Sequence, residues 1–196
     1  MINIQTYDYS DDYTQYNSWD SFINNCKFNL DNGPWIAGGS ARRLYYNNMS
    51  NIVDIDIFFN NKNQYERFCS LIKGDPIFTS DNANTYYIFV ENKGYKIQLI
   101  IKNFYPSADD VINDFDFSIS QYITDGKMFK TGKYTLLDEK DKVLRPLCMK
   151  NKTIFPRMIK HLILGYKPSP ELVSYIKDNK NDITFTFEHM FLYDNQ

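Results

Sequence analysis

Apolar residues along this chain change period several times, and each change marks an element. Trp19, Phe22 and Ile23 recur at helical spacing and predict an amphipathic helix over 16–28. A short apolar run over 34–37 reads as a strand, followed by a helix from Ser40 to about Asn47 and a loop over 48–51. Strict alternation over 53–59 predicts a second strand. Tyr65, Phe68, Leu71 and Ile72 give an amphipathic helix over 63–73 closed by Gly74. Residues 85–90 and 95–102 read as a hairpin around Asn92-Lys93-Gly94. A short helix over 107–113, a strand over 117–123 and a turn at Asp125-Gly126 follow. Helical segments then dominate, over 134–142, 151–164 and 170–178, while the polar stretch 1–13 reads as an arm or edge. The shift near residue 133 predicts an α+β head over 14–132 and a small helical lobe over 133–196.

Two of these runs carry chemistry. Gly38-Gly39-Ser40 ends an apolar strand, and Arg42 follows in the helix. Glycines let a backbone approach a ligand closely, and a helix start offers free N–H groups to phosphate. A side chain at Gly39 would fill that space and strain the turn. Ser40 suits either a phosphate oxygen or a helix cap. In Val53-Asp54-Ile55-Asp56-Ile57 the two carboxylates fall on one face of a strand, about 7 Å apart. Such a pair is costly without a cation, and a hard divalent ion fits it.

Composition narrows the classes. The 196 residues are 43% hydrophobic and 23% charged, enough for a globular core. The 16 Tyr and 15 Phe, with abundant Asn, Lys and Ile, read as coding drift in an AT-rich genome and as core. A net charge of −2 gives no global attraction to nucleic acid. Cys26, Cys69 and Cys148 are too dispersed for a disulfide framework or a zinc site, and point to a reducing, cytoplasmic setting (host cytoplasm if viral). With only His161 and His189, zinc or Ser-His catalysis is disfavoured. No apolar run reaches membrane length, and Met1-Ile2-Asn3 starts no signal peptide.

Gly-Gly-Ser followed by Asp-x-Asp resembles the signature of the polymerase-β-like nucleotidyltransferase superfamily. Further elements extend the likeness over residues 34–166. Asp116-Phe117-Ser118-Ile119-Ser120 is similar to the Arg-Arg-Asp-Phe-Thr-Ile-Asn element of CCA-adding and bacterial poly(A) polymerase enzymes. Leu137-Asp138 through Arg145 looks like the element in which an Asp and an Arg read the incoming base. Phe155-Pro156-Arg157-Met158-Ile159-Lys160 resembles their neck helix. The whole also looks like short stand-alone bacteriophage nucleotidyltransferases.

The resemblance implies a nucleotidyltransferase fold, a mixed sheet flanked by helices, and transfer of an NMP from an NTP to a hydroxyl acceptor. It implies two Mg²⁺ ions, or Mn²⁺, on Asp54 and Asp56. It implies nucleotide contacts from Gly38, Gly39, Ser40, Arg42, Asp116, Asp138, Arg157 and Lys160. Arg157 and Lys160 share a helical face. This chain departs from the pattern in four places. Arg43 replaces an Asp, Asp114 and Phe115 replace Arg-Arg, Ser120 replaces Asn, and Lys140 or Lys142 must stand for the base-reading Arg. Gln98 occupies the spot where many members place a third carboxylate. The chain ends about thirty residues after the neck-like helix, which disfavours unaided tRNA repair. The acceptor stays open between an RNA end, a protein and a small molecule. The rival readings are an inactive module of the same fold that binds nucleotide or a partner, and an inhibitor or toxin-like protein that modifies a host target.

Overall fold

The computed structural model describes residues 13–48, 52, 54–148 and 154–179. All but the last residue of the arm read over 1–13, most of the 48–51 loop, Val53, the start of the 151–164 helix and the segment after 179 lie outside these residues. The chain divides into two compact units, Met1–Val111 with Ile123–Lys130, and Ile112–Tyr122 with Thr131–Gln196. The second unit thus includes 112–122, a segment the sequence pattern placed in the head.

The first unit is built on a mixed sheet flanked by helices. Its elements are β1 (Thr14–Tyr16), α1 (Trp19–Asn25), β2 (Trp35–Ala37), α2 (Gly39–Tyr45), β3 (Asp54–Phe58), α3 (Lys62–Cys69), β4 (Phe78–Thr79), β5 (Ala83–Val90) and β6 (Lys93–Ile100). After α4 (Ala108–Asn113), β7 (Tyr122–Thr124) and β8 (Phe129–Thr131) complete it. The strand order is β1-β5-β6-β3-β2-β7-β8, with β4 on β5. β3 runs antiparallel to β2 and parallel to β6, so it lies at the centre.

Register explains the core. Ile55 stands opposite Ile97, and Ile57 opposite Leu99; all four are 0–1% exposed. Burying each such side chain contributes about 1.5–3 kcal/mol. α1 and α3 cover this face: Trp19 meets Tyr95 at 5.0 Å, and Phe68 meets Phe28 and Phe59 at 5.8 and 5.4 Å. The pattern expected one helix over 16–28. The chain instead makes a short strand and then α1, because Ser18 caps the helix by accepting from the Ser21 N–H. The alternate residues of β3, Asp54, Asp56 and Phe58, are half-buried on the opposite face.

The hairpin turn also moves. Val90 pairs with Lys93, which leaves Glu91 and Asn92 as a two-residue turn at φ 54° and 62°. That twist matches the strands, so Gly94 sits inside β6 opposite Phe89 rather than in the turn.

In the second unit, a 3-10 turn at Ser118–Ser120 is followed by α5 (Thr135–Asp141), β9 (Val143–Leu144), α6 (Ile154–Ile163), β10 (Lys167–Pro168) and α7 (Pro170–Asp178). β9 and β10 pair in parallel. The strand expected over 117–123 is therefore cut to β7. Ser118 and Ile119 are both fully buried, which an alternating half-exposed strand cannot achieve, and the curled backbone satisfies it. Phe117, Ile119, Leu144, Phe155, Met158 and Leu172 lie in its core.

One prediction concerns the turn after β2. The positive φ lies at Gly38 (φ 73°, ψ −137°), not at Gly39, which opens α2. A Cβ on Gly39 meets nothing closer than 3.8 Å, so its strain expected from sequence is absent. Gly38→Ala should cost about 1–3 kcal/mol of stability in urea denaturation, and Gly39→Ala under about 1 kcal/mol. Equal losses would contradict this account of the turn.

Candidate active site

β2 delivers the chain into the Gly38 turn, and its last residue, Ala37, stands opposite Asp56. The turn and the carboxylate pair are thus next to each other by hydrogen-bond register. Ser40 is 2% exposed, and its hydroxyl donates to the Ala37 carbonyl at 3.3 Å. It ties the turn to β2, while Gly38 takes the cap position without a side-chain bond. Arg42 follows on α2, half-buried.

Asp54 and Asp56 share one face of β3 and are half-buried. Burial pushes the Asp56 carboxyl up to about 7, and repulsion from Asp54 adds to it. Lys96 stands opposite Asp54 and Gln98 opposite Asp56. Among the described residues, neither carboxylate has a hydrogen bond or an ion pair. Two carboxylates on one strand face, unpartnered among the described residues, fit a hard divalent cation. Among the described residues no third His, Cys, Asp or Glu joins them. Gln98, opposite Asp56, adds only a neutral amide oxygen to the two carboxylates.

The remaining candidates lie in the second unit and largely bond to one another. Arg157 forms an ion pair with Asp116. Lys160 is exposed on the same face of α6 as Arg157. Asp138 is 1% exposed and engages Arg145 with both oxygens, at 2.9 and 3.2 Å, while Ser118 Oγ donates to it at 2.6 Å. The partner of Asp138 is therefore Arg145, not Lys140 or Lys142. The cause is Lys142, whose left-handed backbone (φ 55°, ψ 46°) ends α5 and turns the chain back. Lys142 itself bonds Glu139 at 2.9 Å, and the Tyr166 hydroxyl donates to Glu139 at 2.6 Å. The Arg145 guanidinium also lies 4.9 Å from the Tyr134 ring centre. A left-handed lysine has no reliable signal in sequence, so this pairing was not legible there.

Two predictions follow from these charges. In the metal-free protein, folded Asp56 keeps a proton that the unfolded chain releases between about pH 4 and 7. Stability should therefore fall as pH rises through that window and level off above it. Asp56→Asn should remove this component and gain on the order of 1–3 kcal/mol at pH 8; an unchanged pH profile in urea denaturation would contradict it. In the second unit, Asp138→Ala should cost about 3 kcal/mol by stranding Arg145 and Ser118. Arg157→Ala, at a half-exposed pair, should cost under about 1 kcal/mol.

Two solved structures of a tRNA-processing enzyme, one an apo form and one with CTP, superpose with TM-scores of 0.51 at 20% and 19% identity. They match 75% of this chain, which covers 44% and 43% of theirs. The CCA-adding enzyme of Bacillus stearothermophilus with CTP gives 0.49 at 14% identity, over 74% of this chain and 38% of that one. The chain has the nucleotidyltransferase fold, α+β with a mixed sheet flanked by helices. Among the described residues no helix is long and apolar enough to cross a membrane. Gabija anti-defense 2 of Bacillus phage SPbetaL7 is 28% identical over 123 residues, 62% of this chain and 29% of the phage protein. The chain thus spans under a third of that relative. Residues 3–142, well over half of the sequence, match the model of the Gabija anti-defense 2 family protein, and the chain belongs to that family.

Proposed function

We propose that this chain is a metal-dependent nucleotidyltransferase with a Gabija anti-defense role: the acceptor hydroxyl oxygen bonds to the α-phosphorus of an NTP, the bond from that phosphorus to the bridging oxygen breaks, and pyrophosphate leaves. One observation carries the reading. The Gly38 turn lies beside two carboxylates, Asp54 and Asp56, that have no partner among the described residues. The CTP bound to a solved protein of the same fold supports a nucleotide ligand.

Each residue has a distinct task in this scheme. Gly38 and Gly39 let the β- and γ-phosphates approach the backbone, and Arg42 adds charge. Ser40 keeps its hydroxyl on Ala37 and offers its backbone N–H. Asp54 and Asp56 would hold Mg²⁺ or Mn²⁺, which supplies triphosphate neutralisation and a lowered pKa for the acceptor hydroxyl. The turn would hold the triphosphate through its backbone, and the carboxylates would act on it only through the cation they hold; positioning of this kind accounts for much of such catalysis. The acceptor is the hydroxyl of an RNA end, a protein side chain or a small molecule.

A second reading has its own support. Gln98 opposite Asp56, and Asp114-Phe115 in place of two arginines, favour a catalytically inactive module that binds nucleotide or a partner protein. Labelled NTPs, incubated one at a time with the protein, Mg²⁺ and total RNA or lysate, separate the two. Transfer predicts label on a defined acceptor, lowered at least about 100-fold by Asp54→Ala or Asp56→Ala. Nucleotide binding without label from any NTP would contradict transfer and favour the inactive module.

A further inference from the structure

Arg43 reverses the charge at a position where the resembled pattern carries an aspartate. Side chains on a helix lean toward its start, so a residue four positions on lies over the first turn. Arg43 does this above Gly39: a Cβ built on that glycine would lie 3.8 Å from Arg43 Nη1. The Arg43 side chain belongs to a half-buried residue, yet among the described residues it has neither a hydrogen bond nor an ion pair.

This placement is hard to explain as a structural contact. A guanidinium normally finds a carboxylate or carbonyl when it is partly removed from water. Asp56 stands opposite Ala37, two residues before Gly39, and still does not pair with Arg43. At the start of α2 a cation also gains nothing from the helix, whose N–H groups already concentrate positive charge there. The neighbourhood therefore keeps one cation and two carboxylates apart, each free for a ligand of the opposite sign. A metal–triphosphate presents both signs at once.

We infer that Arg43 is a triphosphate-binding residue, its guanidinium taking the non-bridging oxygens of the terminal phosphates at the Gly38–Gly39 turn. It rests on the nucleotide-binding part of the function proposed above and assigns a residue that departs from the resembled nucleotidyltransferase pattern. It supplies a phosphate-grade cation to a chain that has Asp114 and Phe115 where the pattern has two arginines. The planar fork of Arg matches phosphate oxygens in pairs, so the preference created is for triphosphate over monophosphate.

Calorimetry on the full chain with Mg²⁺ and CTP, ATP or CMP tests it. Arg43→Ala and Arg43→Gln should weaken CTP and ATP about 10- to 100-fold and change CMP by under about twofold. Arg43→Lys should fall between them and the parent. Unchanged melting temperatures identify the variants that fold, and Gln or Lys serves if Ala does not. Equal losses for CTP and CMP would overturn the proposal in favour of a structural role. Parent-like CTP affinity in Arg43→Gln, with affinity reduced by Asp54→Ala, would overturn it while leaving the nucleotide site standing. A parent that binds no nucleotide would overturn both.

Discussion

Two like charges on the central strand of a sheet set the terms for the first unit. β3 must bury Ile55 and Ile57 on one face, and a strand's period of two then commits Asp54 and Asp56 to the other. Sliding β3 by one residue would bring the carboxylates into the core, so the hydrophobic face fixes their position as firmly as any direct contact. β2 and β6 hold β3 from both sides, which places the Gly38 turn against Asp56 and Lys96 and Gln98 in the same rows. The fold thus stabilises an arrangement that is unfavourable for the carboxylates alone. Strain of this sort is expected where a ligand later relieves it.

The second unit follows a different logic. Its charges satisfy one another: Asp138 with Arg145 and Ser118, Glu139 with Lys142 and Tyr166, Asp116 with Arg157. A buried pair of this type adds little net stability, but losing one partner is costly. It gives the short elements α5 and β9 a defined mutual geometry that their few apolar residues specify weakly.

The parts of the fold that depend on periodicity were legible in the sequence. β3, α3 and the α6–α7 segments show their period directly, and the Gly-Gly-Ser and Asp-x-Asp motifs fall where the strand and turn readings put them. The misreadings occur where a few residues override the period. Ser18 starts α1 late, Glu91 and Asn92 take the turn that Gly94 seemed to claim, and Ser118 curls a would-be strand toward Asp138. In the first unit, spacing put Asp54 and Asp56 on one face of β3, as the strand shows, whereas in the second unit it assigned Lys140 or Lys142 to the place that Arg145 takes beside Asp138. That pairing depends on the left-handed backbone of Lys142, which does not follow from spacing.

Membership in the Gabija anti-defense 2 family gives this architecture a biological setting, and the carboxylate pair gives it a chemistry to be tested. The most direct measurement is electron paramagnetic resonance of Mn²⁺ titrated into the full chain, with and without a non-hydrolysable NTP. The account predicts stoichiometric Mn²⁺ uptake that tightens when nucleotide is present and disappears in Asp54→Asn. Mn²⁺ that stays free in solution under both conditions, or binds equally to Asp54→Asn, would contradict it.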